Sequence, residues 1–294
     1  MDKRRVAFIV DSSIGIFGEE LEKRNIKQVF FGITDSKGNV YQDDNTILNT
    51  ETILKKFDEG EIFKTSAVSP GPVMELTDEL LKDNDDVVLF TVSSGLSSFY
   101  QNVKFLEEEY NGKFHVVDTK EVGYAIQQMI IKARKMLDDG VSLEEVLGFC
   151  NSYYLNDFTY FTCSSWTPLV KSGRAPAALS KVFNFLKTRP VISFYIKNKL
   201  GGIARSFESS LEKMISSFKK IFNNPSANDI EHVVFYNNKI EENKAQYVRD
   251  KIFSEFKLPK EKFIESYVPN LVLVYTANGS FGIHARCLKK QRED

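Results

Sequence analysis

Small hydroxyl residues gather in three places along this chain: Asp11-Ser12-Ser13 after the apolar run 6–10, the stretch 65–71 that opens on Thr65-Ser66, and 93–98 after the apolar run 87–92. A hydroxyl loop that follows a buried strand is how an α/β sheet builds an anion site from neutral donors. Each stretch also runs toward a helical pattern. Pro72 fits a first helical position, and Ser97 or Ser98 can cap a helix that continues to Tyr110. The unsatisfied N–H groups of such helix starts add partial positive charge without adding a cation. Residues of these types in this pattern suit one carboxylate or one phosphate.

Other chemistries lack their residues. Gly201-Gly202 and Gly279 carry no following Lys for a phosphate loop, and Gly15 and Gly18 do not complete a dinucleotide fingerprint. His115 and His232 stand alone in the sequence, and Cys287 falls on the opposite strand face from His284, so no metal set is visible. Val92-Ser93-Ser94-Gly95-Leu96 is not a nucleophile elbow, and no His sits on an obvious nearby loop to act as base. The acidic pairs Asp43-Asp44, Asp85-Asp86 and Asp138-Asp139 read as solvated turns.

The elements that must position the hydroxyls alternate through the first half. Strands are expected over 5–10, 27–34, 87–92 and 114–118, and helices over 17–24, 50–59, 73–82 and 122–138. Ser142-Leu143-Glu144-Glu145 is a capping box that opens a further helix. This pattern is a doubly wound α/β/α domain with a parallel sheet, residues 1–155. From Asn156 the rhythm changes. Strands are expected over 159–163, 231–236, 263–267, 271–276 and 281–286, a hairpin over 190–206 with its turn at 197–199, and helices over 175–186, 207–222 and 241–256. Hairpins mixed with helices indicate an α+β domain with a mixed sheet, residues 156–294.

A length of 294 residues supports two cores, and a formal charge of −1 gives no reason to expect nucleic acid or an anionic membrane surface. Cys150, Cys163 and Cys287 are few, odd in number and far apart, as for buried thiols in a reducing cytoplasm. No apolar stretch approaches the roughly 20 residues of a membrane span, and Asp11 interrupts the first apolar run too early for a signal peptide. A soluble cytoplasmic protein is the expectation. The 24 Phe and 12 Tyr suit either an A/T-rich genome or an apolar ligand tunnel.

The order and spacing of several short motifs resemble the DegV family. They are Asp11-Ser12-Ser13, Lys64-Thr65-Ser66-Ala67-Val68-Ser69-Pro70-Gly71, Ser93-Ser94-Gly95-Leu96-Ser97-Ser98, Val117-Asp118-Thr119 and Lys171-Ser172-Gly173-Arg174. Arg189-Pro190-Val191-Ile192 and, more loosely, Tyr275-Thr276-Ala277-Asn278-Gly279 extend the match. The resemblance implies a long-chain fatty acid in an interdomain tunnel, offered to the catalytic subunit of a separate fatty acid kinase. It implies no catalytic residue, metal or cofactor in this chain.

Carried over, the resemblance places the carboxylate on Thr65 and Ser94, with Ser93 and Ser66 as neighbours. Tyr275 stands where many members have a His, which puts the head-group network in question. Arg174 would lie at the tunnel mouth toward an acyl phosphate or the kinase, and Arg205 is a weaker candidate; structural ion pairing would equally account for both. Phe161, Leu169, Ala178, Leu179, Val182, Phe183, Leu186 and Ile192 suit a tunnel lining or an ordinary core. An autonomous enzyme acting on a small phosphorylated or acyl substrate is the alternative, and a ligand-sensing interaction protein is a third reading.

Overall fold

The computed structural model describes residues 4–164, 166–171, 188–193, 199–276 and 278–289. Its packing divides the chain into two compact units. The first comprises Met1–Asn49, Lys64–Tyr154 and Pro269–Leu271, and the second Thr50–Phe63, Leu155–Val268 and Val272–Asp294.

In the first unit, strands β1 (Val6–Asp11), β2 (Ile26–Val29), β6 (Asp86–Thr91) and β7 (Phe114–Asp118) form a parallel sheet in the order β2-β1-β6-β7. Phe8 lies opposite both Ile26 and Val88 in this register. Every residue of β1 and β6 is buried, which is why they read as unbroken apolar runs. Helices Tyr124–Asp138 and Leu143–Ser152 supply Ile126, Met129, Ile130 and Val146 to the core around Phe8 and Phe90. The second of them carries the expected capping box between Ser142 and Glu145. A small antiparallel sheet, β4-β3-β5, completes the unit with β3 (Gly32–Thr34), β4 (Val40–Gln42) and β5 (Lys64–Ser66).

Several sequence expectations change here. The single strand 27–34 is two strands in two different sheets. The Phe31 N–H donates to Ser12 Oγ at 3.3 Å and its carbonyl accepts from Asp43 N–H at 2.9 Å, so the backbone leaves the parallel sheet at that point. Thr65 and Ser66, expected as loop, belong to a strand that pairs with β3. The helix expected over 17–24 shrinks to Glu19–Glu22, because Gly15 and Gly18 hold positive φ just before it. The helix expected to open at Pro72 begins at Pro70. The run toward Tyr110 splits into Phe99–Val103 and Leu106–Glu109; Ser98 occupies the cap position without a side-chain bond to the helix backbone, and Ser97 Oγ accepts from Phe99 N–H at 3.2 Å.

The second unit holds a six-stranded mixed sheet in the order β10-β9-β8-β13-β11-β12. Its strands are β8 (Asp157–Thr162), β9 (Arg189–Ser193), β10 (Lys199–Ala204), β11 (Ile230–Asn237), β12 (Phe263–Ser266) and β13 (Phe281–Cys287). The β11–β12 pair is parallel and the remaining pairs are antiparallel. Helices Phe207–Ile221 and Glu242–Phe256 contribute Leu211, Phe218, Val248 and Phe256 to a core shared with Phe158, Phe235 and Phe281. On the opposite strand faces, Phe161 stacks on Tyr236 at 5.3 Å and lies over Gly282. Residues 271–276 form not a strand but part of the helix Asn270–Thr276. Residues 270–276 are all buried, so the Leu-Val-Leu-Val run carries no period to reveal a helix, and tertiary burial overrides β propensity. The expected helix 175–186 and the turn residues Lys197 and Asn198 lie outside the described residues.

Candidate functional site

The chain passes from β1 to β2 on one side of the parallel sheet and places β6 and β7 on the other, so β1 and β6 flank its topological switch point. In open α/β sheets ligands bind at the carboxyl ends of the strands beside that point. Asp11-Ser12-Ser13 and Ser93-Ser94 occupy those two carboxyl ends, and the end of β7 adds Asp118 to Glu121.

Asp11 fastens the first two loops together. Its Oδ1 accepts from the Ser13 N–H at 2.9 Å and from the Ser13 hydroxyl, and its Oδ2 accepts from the Val92 N–H at 2.6 Å. Burial raises its pKa to about 6 despite these donors. A second buried acid, Asp43, accepts from the Asn270 amide at 3.1 Å on Oδ1, while Oδ2 has no donor among the described residues. Burial raises Asp43 to about 7; the Ser12 hydroxyl and Asn270 lower it in part, and the nearby charges of Asp11 and Asp44 raise it. Asp43 is therefore no solvated turn residue.

Ser93 and Ser94 differ in what they present. The Ser93 hydroxyl is enclosed and accepts from the Gly95 N–H at 3.2 Å. Ser94 is half-buried, donates its N–H to Asp118 Oδ1 at 3.0 Å, and accepts on Oγ from the Lys120 ammonium at 3.0 Å. Lys120 also pairs with Asp118. Thr119 closes the back of the loop by donating its hydroxyl to the Thr91 carbonyl at 2.8 Å. The sequence reading stopped at Thr119 and missed Lys120, whose signal was only its place one residue past a strand-ending motif.

Thr65 sits half-buried in β5 opposite Ile33, and Ser66 is exposed opposite Gly32. Any residue with a Cβ at Gly32 would meet Ser66 Oγ at 2.4 Å. The strand β3 that carries Gly32 is tied through Phe31 to Ser12, which links the β5 hydroxyls to the loop after β1. Thr65, Ser66, Ser93 and Ser94 thus share the first unit. Tyr275 and Arg205 belong to the second: Tyr275 is buried in the helix Asn270–Thr276, and Arg205 is exposed, its N–H donating to Ser209 Oγ at 3.2 Å.

Arg174, with Ser172 and Gly173, lies outside the described residues, as do Ala178, Leu179, Val182, Phe183 and Leu186. Phe161 and Leu169 are buried and Ile192 is half-buried. A surface cleft of about 310 Å³ is bordered by Gln28, Phe30, Val68, Pro72, Glu75 and Glu79. Its two glutamates carry the wrong sign for an anionic head group.

His232 does not stand alone: its Nε2 lies 3.2 Å from His284 Nε2, because β11 and β13 pair antiparallel with His232 opposite Arg286 and Val234 opposite His284. Thr159 Oγ1 contacts His284 Nδ1 at 2.9 Å, and burial holds His284 well below the usual imidazole range. Among the described residues, no three His, Cys, Asp or Glu side chains are grouped to hold a metal ion, and no helix is long and apolar enough to cross a membrane.

Comparison with known proteins adds three kinds of likeness. The family model described as "Uncharacterised protein, DegV family" matches residues 5–286. A protein of Thermotoga maritima named as a fatty acid-binding protein is 30% identical over 224 residues, 71% of this chain and 76% of its own length. A solved DegV family protein from Thermus thermophilus, described by its fatty acid binding, superimposes with a TM-score of 0.79 at 22% identity, covering 97% of this chain and 100% of its own. The Fatty Acid Kinase B3 protein of Streptococcus pneumoniae, solved loaded with linoleic acid, gives a TM-score of 0.73 at 19% identity over 96% of this chain and 99% of its own. At these identities the two solved structures share the fold.

Proposed function

This chain belongs to the DegV family, and from that premise we propose that it binds one long-chain fatty acid and holds the carboxylate with Thr65 and Ser94. The observation that carries the reading is the gathering of small hydroxyl residues around the carboxyl end of the parallel sheet, with Ser94 half-buried beside the switch point. Ser66 and the enclosed Ser93 complete the hydroxyl surroundings, and Tyr275 offers a phenol that can donate a hydrogen bond. Each charge-assisted hydrogen bond to the carboxylate contributes roughly 1.5–3 kcal/mol. The acyl chain supplies the larger share: at about 0.8 kcal/mol per buried methylene, a long chain gains on the order of 10 kcal/mol before ordering costs. The Thermotoga relative and the Thermus neighbour support this ligand class.

On this reading the protein is a carrier without chemistry of its own, and it presents the acyl carboxylate to a separate ATP-dependent kinase for acyl-phosphate formation. The likeness to the pneumococcal Fatty Acid Kinase B3 protein supports that role. Arg174, and as a weaker candidate Arg205, are then the cations proposed to meet the acyl phosphate or the kinase.

Native mass spectrometry of freshly purified protein, followed by solvent extraction of what it carries, tests the proposal. The expected result is one fatty acid per chain. A ligand-free chain that takes up no added fatty acid, or one that turns over nucleotide alone, would instead support an autonomous enzyme working on a small phosphorylated or acyl substrate.

A further inference from the structure

The geometry points to Lys120 as a positioning residue: its ammonium turns the Ser94 hydroxyl into an outward donor for an ionised head group and cancels the charge of Asp118 beside it. The inference rests on the fatty-acid reading of this site and assigns it a cation that the hydroxyl motifs do not contain.

Ser94 offers a ligand two donors, its N–H and its hydroxyl. The N–H is committed to Asp118 Oδ1 at 3.0 Å, which leaves the hydroxyl. Left to themselves, the hydroxyl and the adjacent carboxylate would satisfy each other, and a nearly buried negative charge would confront an incoming anion. Lys120 prevents both. Its Nζ lies 3.0 Å from Ser94 Oγ and also pairs with Asp118. An ammonium only donates, so Ser94 Oγ accepts from it and must direct its own hydrogen elsewhere. A hydroxyl that accepts from a cation is also a stronger donor in turn.

The backbone is arranged for this contact. Lys120 has φ +57°, the left-handed region that favours Gly or Asn, and its own N–H reaches back to Asp118 Oδ1 at 3.3 Å. The turn folds the side chain over the end of β7 toward Ser94 at the neighbouring end of β6, 26 positions earlier in sequence. Backbone cost of this kind persists where the surroundings hold it in place, and here the Asp118 and Ser94 contacts do so.

The test compares cis-parinaric acid with its methyl ester, two fluorescent probes with the same chain and different head charge, on the delipidated full-length protein. Wild type should bind the acid more tightly than the ester. Lys120→Met should weaken the acid by about tenfold, the scale of one charge-assisted bond, and leave the ester unchanged. Lys120→Arg should restore most of the loss. A Met variant that binds the acid as wild type does, or that loses acid and ester in equal proportion, would overturn the inference and leave the fatty-acid reading standing. A folded wild type that binds neither probe would overturn both.

Discussion

Replacing Asp43 with Asn should stabilise the protein at alkaline pH and destabilise it at acidic pH. Asp43 is fully buried, and burial raises it from 3.8 to about 7. Between those values the native state binds the proton that the unfolded chain releases, so this group's contribution to stability falls as pH rises through the window and is flat above it. The difference, 7 − 3.8, is about three units, which at about 1.36 kcal/mol each places the cost of holding the carboxylate ionised on the order of 4 kcal/mol above pH 7. Asn removes that cost. It also puts an amide N–H₂ where Oδ2 has no donor to lose and no assured acceptor, a penalty of about 1–3 kcal/mol. Asp43→Asn should therefore gain about 1–3 kcal/mol at about pH 8 and lose up to about 2 kcal/mol at about pH 4.5, where about 1 kcal/mol of the ionisation cost is already present in the wild type. Urea unfolding followed by far-ultraviolet circular dichroism at both pH values measures this. The difference between wild type and variant is the quantity to read, since His284, kept neutral by burial, lowers stability as pH falls and contributes equally to both proteins. A variant shifted by the same amount and sign at both pH values would refute the reasoning.

Gly282→Ala should be costly, because its Cβ would lie 2.3 Å and 2.4 Å from Phe161 ring atoms that are themselves stacked on Tyr236. A loss of about 1–3 kcal/mol is expected from such overpacking, read as a lower thermal midpoint. Gly148→Ala is the control: it sits in the helix Leu143–Ser152 with nothing within 4 Å of the new Cβ, and should stabilise by about 0.5–1 kcal/mol. A Gly282→Ala midpoint equal to wild type would contradict the packing described. Burial pushes the Cys150 and Cys163 thiols up to about 12, so a disulfide-exchange reagent at mildly alkaline pH should label neither until denaturant is added. Rapid labelling of either in the native protein would show that the thiol is not enclosed.

The parallel sheet was legible because β1 and β6 are covered on both faces and their apolar runs are unbroken. The hydroxyl loops were legible for the same reason, since each marks the abrupt end of such a run or lies close to one. What escaped the sequence depends on distant partners. Phe30 and Phe31 extend an apolar stretch that begins at Val29 in β2, and only the bonds from Phe31 to Ser12 and Asp43 show that the chain has changed sheets. The helix at Asn270 is buried throughout, which erases the period that would separate it from a strand. His232 and His284 are 52 positions apart and meet through strand register. Lys120 reaches Ser94 because β6 and β7 are neighbours and because its backbone turns left-handed, neither of which a motif records.

The most direct test of the central claim is calorimetric titration of the delipidated protein with oleate, wild type against a Thr65→Val/Ser94→Ala double variant of unchanged thermal stability. Two charge-assisted bonds at roughly 1.5–3 kcal/mol each predict that the double variant binds at least about a hundredfold more weakly while wild type takes up one oleate per chain. A double variant that binds oleate as tightly as wild type would contradict the assignment of the carboxylate to Thr65 and Ser94.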